Sequence, residues 1–334
     1  MPIHARFDQA RWTREFTLER ARAEAAVRAR EHAAAWRRRR WWRRLGLGSR
    51  PSVAQIARNM GPRGEYIDGP GSMAITELAR REAGEAERLG RAVPVDMLVW
   101  GRGEPANRAA TKIGGLPYRP ADAPWPRGQG GRPSVFMGQF CFADSLDVLG
   151  AWHGAKPRLP ADVLLLFSPT EEGPMGDEFY DIGVQHEWWP LGLDNLVGPG
   201  GVPEQRWKLN RGGRLEPCYA ELHRTHDYPE VPEAHPLRGY PDGERLCVLE
   251  GGKIGGVPHF AQDSETQRPG VYLCTLGSLN PAGPRYPLLN VPANAPGSVF
   301  LEGDFLMLVD NGSLYLWVEE RGEGVELHWD VQYY

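Results

Sequence analysis

Apolar and polar positions divide the chain into a polar, helix-patterned front and a strand-patterned remainder. Residues 8–44 are rich in Ala, Arg and Glu and contain no Gly or Pro, a composition that predicts one long helix. Trp12, Phe16, Ala23 and Val27 form a narrow apolar stripe along it, and Gly46, Gly48 and Pro51 end it. Residues 51–71 are Gly/Pro-rich and read as a linker. A second helix is predicted over 72–90, opened by Ser72 and closed by Gly90. Beyond it, short apolar runs bounded by turn residues predict strands near 95–100, 134–141, 163–168, 178–184, 245–250, 271–275, 298–302, 305–310, 313–318 and 325–330. Asp144–Trp152 reads as a short helix capped by Asp144. Asn311-Gly312 predicts a tight hairpin. Pro/Gly-rich stretches at 191–206, 227–243 and 280–297 read as connectors.

One pattern repeats. Lys112-Ile-Gly-Gly-Leu-Pro117 returns as Lys253-Ile-Gly-Gly-Val-Pro258, 141 positions later. Each copy is followed by an aromatic residue and then by a Gln in an apolar setting, Gln139 and Gln262. Internal repetition points to a duplicated module. The expected fold class is α+β: an internally duplicated, mostly antiparallel, strand-rich body with few helices, preceded by the long N-terminal helix. The expected organisation is a basic helix over 1–50, a linker and second helix over 51–92, and a duplicated domain over 93–334 with halves of about 93–210 and 211–334.

Composition sharpens this picture. Forty-one Gly and 30 Pro in 334 residues favour strands and turns over long helices. Four widely spaced cysteines without a Cys-x-x-Cys pair fit reduced thiols. No apolar stretch has the length of a membrane span, and no signal-peptide pattern opens the chain, so a cytoplasmic address is expected. The charge is divided. Residues 1–50 hold 14 Arg against five acidic residues, whereas the rest holds 25 basic against 38 acidic residues. An acidic body suits a basic partner rather than nucleic acid.

The candidate chemistry follows from these patterns. Paired glycines beside a lysine allow a tight turn whose N–H groups form an anion nest. Lys112, Gly114, Gly115, Gln139, Lys253, Gly255, Gly256 and Gln262 are therefore cleft candidates. The simpler reading makes each motif an equivalent fold-defining turn and each Gln a staple for nearby backbone; P-loop spacing is missing from both copies. Trp12, Phe16, Arg37, Arg40, Trp41 and Trp42 on the basic helix are candidates for a partner surface, as are Trp125, Trp188 and Trp189 beside prolines. Their simpler roles are packing on the body. Contact of 36–44 with a membrane or nucleic acid is a lesser alternative. Cys218, His223, His226 and His235 resemble a metal cluster but lack metalloprotease spacing, so no metal and no cofactor are expected and a solvated loop is the reading. Asp181, His186 and Glu187 offer no defined acid/base geometry. No nucleophile elbow or His-Glu-x-x-His pair is present, and a non-enzyme is expected.

Lys112-Ile-Gly-Gly-Leu-Pro-Tyr118, Ala123-Pro-Trp-Pro126, Phe136-Met-Gly-Gln139, Leu164-Leu-Leu-Phe167 and Lys253-Ile-Gly-Gly-Val-Pro258 with Gln262 occur in the order seen in the YwqG-like family of bacterial proteins of unknown function. Residues 94–320 resemble that family; the basic helix lies outside it, and the family's C-terminal Trp-Gly-Asp run is not matched. The resemblance implies an internally duplicated α+β fold and carries over no catalytic residues. It also implies association with bacterial toxins, as an immunity protein. Two functions stand as expectations: a cytoplasmic protein-binding module, immunity or adaptor, that neutralises a basic toxin or effector by binding it; and, as the alternative, a small-ligand binder or enzyme with a cleft between the repeats.

Overall fold

The computed structural model describes residues 1–7, 91–170, 183–204, 217–230, 248–249, 251–260, 268–277, 281–282, 289–290 and 312–332. The described residues form twelve strands: β1 Val93–Arg102, β2 Lys112–Ile113, β3 Val135–Cys141, β4 Val163–Ser168, β5 Gln185–Trp189, β6 Cys218–Asp227, β7 Lys253–Gly255, β8 Val271–Gly277, β9 Pro281–Ala282, β10 Leu289–Asn290, β11 Ser313–Arg321 and β12 Gly324–Gln332. Ten of them form one antiparallel sheet in the order β12-β11-β8-β7-β1-β6-β2-β3-β4-β5, and β9 and β10 pair separately.

The order is an approximate two-fold arrangement centred on the β1–β6 pair. These two strands run antiparallel over their full length, from Val93↔Asp227 to Arg102↔Cys218. On one side of the centre lie β2, β3, β4 and β5; on the other lie β7, β8, β11 and β12. The halves also interlock. β1 precedes β2 in the chain but pairs with β7, while β6 precedes β7 but pairs with β2.

Strand alternation accounts for the continuous apolar runs, because both faces of the sheet are covered. Leu164 and Leu166 join one large core that also takes Leu314, Leu316 and Val318 from the other half. The intervening Val163, Leu165 and Phe167 join a second cluster on the opposite face, and Tyr315 and Trp317 a third with Tyr272. The sheet curls around the large core. Trp188 near one edge and Val325, Leu327 and Trp329 on the other pack against it. A Cβ on Gly183, just before β5, would fall 1.9 Å from the Trp329 ring, so only glycine fits where the two ends approach.

The α+β expectation is overturned. No α-helix occurs among the described residues; the regular elements are strands and two three-residue 3-10 turns, 129–131 and 199–201. The predicted helices over 8–44 and 72–90, and the Asn311-Gly312 hairpin, lie outside the described residues in whole or in part. Asp144–Trp152 is a run of turns closed by Val148 N–H to Ser145 O and Ala151 N–H to Val148 O bonds. Asp144 does not cap it: its Oδ2 accepts the N–H groups of Ile3 and His4, at 2.8 and 2.7 Å. The turn segment instead crosses to the second half, where His153 Nε2 accepts from Tyr272 N–H and Arg158 N–H donates to Glu320. Residues 218–227, expected to lie in a solvated loop, instead form the ten-residue central strand β6.

Candidate functional site

The repeated motif builds the same clamp twice. Lys112 on β2 lies opposite Tyr219 of β6 and Gln139 of β3. Lys253 on β7 lies opposite Met97 of β1 and Thr275 of β8. Both lysines point into the protein and are 1% exposed. An ammonium buried alone is prohibitively costly, so each needs a counter-ion. Lys112 Nζ meets Glu104 Oε2 at 3.0 Å, and Lys253 Nζ meets Asp227 Oδ2 at 3.0 Å. The same carboxylates accept the backbone N–H four residues beyond each lysine: Leu116 N–H to Glu104 Oε1 and Val257 N–H to Asp227 Oδ2, both 2.8 Å.

The glycines make that second bond possible. Gly114, Gly115, Gly255 and Gly256 have φ of 64, 72, 68 and 70°, the left-handed region costly to other residues. A Cβ on Gly115 would lie 2.0 Å from Glu104 Oε1, and one on Gly256 would lie 2.3 Å from Asp227 Oδ2. The two turns thus wrap a carboxylate from a strand end. Burial pushes the Lys112 amine down, Glu104 pulls it back, and nearby Arg108 adds to the depression.

Gln139 serves the loops around its motif. Its Oε1 accepts Tyr118 N–H at 2.8 Å, and its Nε2 donates to the carbonyls of Arg108 and Ala110. Gln262 lies outside the described residues, and the residue opposite Lys253 is Thr275, bonded to the Tyr272 hydroxyl. The two motifs do not share a cleft wall: β1 and β6 stand between β7 and β2, three strand spacings or roughly 14 Å.

The other candidates separate. Trp12, Phe16, Arg37, Arg40, Trp41 and Trp42 lie outside the described residues. Trp125 and Trp189 pack on the outer cluster and Trp188 on the large core. Trp125 Nε1 donates to Ser134 O, and the buried Arg119 lies over its ring while forking onto Glu187 at 2.9 and 3.0 Å. His223 and His226 stand three apart on a strand, which places them on opposite faces, so they do not converge on an ion. Cys141, Cys218 and Cys274 are buried and outside any disulfide; burial pushes Cys141 up to about 12 and Cys274 upward as well. Such thiols are poor nucleophiles.

Two clusters were hidden from the sequence. The first fastens the N-terminal segment. Phe7 N–H donates to Leu222 O and Leu222 N–H to Ala5 O, extending the sheet beside β6 past the end of β2. His4 is buried between Asp144, 3.1 Å from Nδ1, and Thr111, 2.9 Å from Nε2. Thr111 N–H also points at Nε2, which fixes the ring as neutral with its proton toward Asp144. The series carboxylate–imidazole–hydroxyl has the order of a catalytic relay, but Thr111 is 1% exposed and its Oγ1 also accepts Cys141 N–H, so the hydroxyl meets no substrate. Arg6 and Arg224 share the fully buried Asp96, which Ser145 Oγ also donates to; Arg224 in addition forks onto Asp147. In the second cluster Glu319, Glu326 and His328 bring ligand atoms within 4.8 Å of one another, and Arg321 bridges the two carboxylates at 2.8 and 2.7 Å.

No family model and no curated protein matches the chain. Among the described residues no helix is long and apolar enough to cross a membrane.

Proposed function

We propose that this is a protein-binding module of YwqG-like type that recognises a basic protein partner, as an immunity or adaptor protein does, from a cytoplasmic address. The observation that carries the reading is the division of charge: 38 acidic against 25 basic residues beyond position 50, behind an Arg-rich front. Opposite charge speeds and selects such an encounter. The rival reading, a cleft framed by both motifs, is weakened because Lys112 and Lys253 each hold a carboxylate of their own and are separated by β1 and β6. Several described carboxylates are engaged internally, by Arg119, Arg224, Arg268 and Arg321. Recognition therefore falls to exposed acids outside those pairs, such as Asp122, Asp194 and Glu323. The test is co-purification of the full chain with the products of adjacent genes at two ionic strengths. A basic partner that binds, weakens with salt, and is lost when Asp122, Asp194 and Glu323 are together reversed to Lys supports the reading. Absence of any complex, or a complex indifferent to salt and to the reversals, overturns it.

A further inference from the structure

We propose that the Lys112 clamp is a carboxylate-binding site whose present occupant, Glu104, is displaceable by the carboxylate of a ligand. This goes beyond the protein-binding reading and does not depend on it.

The second half shows what the donor pair is built for. Lys253 Nζ and Val257 N–H converge on one oxygen of a buried carboxylate. Lys112 Nζ and Leu116 N–H are the same two groups at the same spacing along the chain, beside the same left-handed glycine pair, and take one oxygen each of Glu104. The occupants differ. Asp227 is 0% exposed, sits on the central strand β6, and uses its second oxygen to accept Leu249 N–H at 2.8 Å. The Glu104 side chain is 37% exposed and follows β1 in an irregular segment, with Gly103, Ala106 and Asn107 around it at least partly open to solvent. It has one more rotatable bond than the side chain of Asp227 and is partly open to solvent.

The charge count points the same way. Arg108 lies four residues after Glu104 and four before Lys112. Its Nη2 donates to the carbonyls of Pro117 and Val197, while its buried Nε has no partner among the described residues. Two cations, Lys112 and Arg108, therefore lie within electrostatic reach of Glu104, and among the described pairs only Lys112 meets it directly. Because the Lys112 side chain is 0% exposed, a ligand reaches it only by taking the place of the Glu104 side chain, and must present its carboxylate on a slender, unbranched stem. A small monocarboxylate and the free C-terminus of a peptide both do so.

The probe is the Leu116 amide resonance of the full 15N-labelled chain, with Val257 as the internal control. Titrants are acetate, N-acetyl-glycylglycine, the amide of that dipeptide, and chloride at matched ionic strength. Acetate is expected to shift Leu116 and leave Val257 in place, with an affinity about tenfold higher in Glu104→Ala, where the tethered competitor is gone, and with no response in Lys112→Met. A peptide acid that outcompetes acetate assigns the site to peptide C-termini; acetate alone assigns it to small monocarboxylates. A Leu116 signal unmoved by either acid in the wild-type chain, or moved equally by the amide or chloride, overturns the proposal. The wild-type titration decides the question even where Glu104→Ala fails to fold.

Discussion

The two clamps have one design and two environments. In the second half the carboxylate is sealed: Asp227 receives Lys253, Val257 and Leu249 and is 0% exposed. In the first half it is half open: Glu104 receives Lys112 and Leu116 and is 37% exposed. A buried pair owes its contribution to what happens when one partner goes, since the survivor is stranded away from water. An open pair is screened and contributes little. Identical motifs therefore carry unequal loads, and the second half is the one whose core depends on its ion pair.

The largest expected effect follows. Asp227→Asn removes the charge of the buried carboxylate that Lys253 Nζ meets and should cost about 3–5 kcal/mol in urea unfolding. Glu104→Ala also deprives a buried lysine of its carboxylate, but the space vacated by the part-exposed Glu104 side chain admits water to Lys112, so a smaller cost of about 1–2 kcal/mol is expected. Equal losses would break the comparison.

The glycines sharpen it at smaller scale. Gly256→Ala sets a Cβ against an immobile carboxylate and against Val95, so left-handed strain and displacement add to about 2–3 kcal/mol. Gly115→Ala carries the same strain, but Glu104 can swing into solvent, and about 1–2 kcal/mol is expected. Melting curves of the two variants give the difference.

The smallest effect is in pH, and it bears on the N-terminal clip, which is attached through Thr111 and Asp144 of the first half. Burial holds the His4 imidazole below 6.5, with the Asp144 hydrogen bond opposing. A base whose folded value is lowered binds its proton more weakly when folded. Its contribution is therefore complete above pH 6.5 and declines as pH falls below it. Asp144, held below its ordinary value by the backbone and ring groups of His4 against the cost of burial, acts in the same direction but only below about pH 4. Stability should thus fall first as pH drops below 6.5, and His4→Gln should flatten that limb while leaving the acid limb. An unchanged slope in His4→Gln would remove His4 from the account.

Particular residues explain what the sequence revealed. The run 163–168 was legible as a strand to the residue, because six consecutive apolar or small side chains suit a strand covered on both faces. The Gly-Gly pair was legible as a special turn, since few other residues serve there. The counter-ions were not legible. Glu104 precedes its lysine by eight residues and Asp227 precedes its lysine by 26, so no common spacing announces them; a nearby proline after each strand end, Pro105 and Pro229, was the only shared sign. Strand β6 was misread for a related reason. His223, Arg224 and His226 look solvated in sequence, yet Arg224 is held by Asp96 and Asp147 and His223 packs on Phe7, partners drawn from more than 70 residues away. The turn over 144–152 was misread as a helix because its supposed cap is engaged by Ile3 and His4. Local pattern identifies elements where the environment is uniform; it fails where a polar group is satisfied from a distant part of the chain.

The most direct test is a pair of double-mutant cycles, Asp227→Asn with Lys253→Met and Glu104→Gln with Lys112→Met, read by urea unfolding. The coupling for Lys253–Asp227 is expected to be at least twice that for Lys112–Glu104. Equal couplings, or a larger one in the first half, would contradict it.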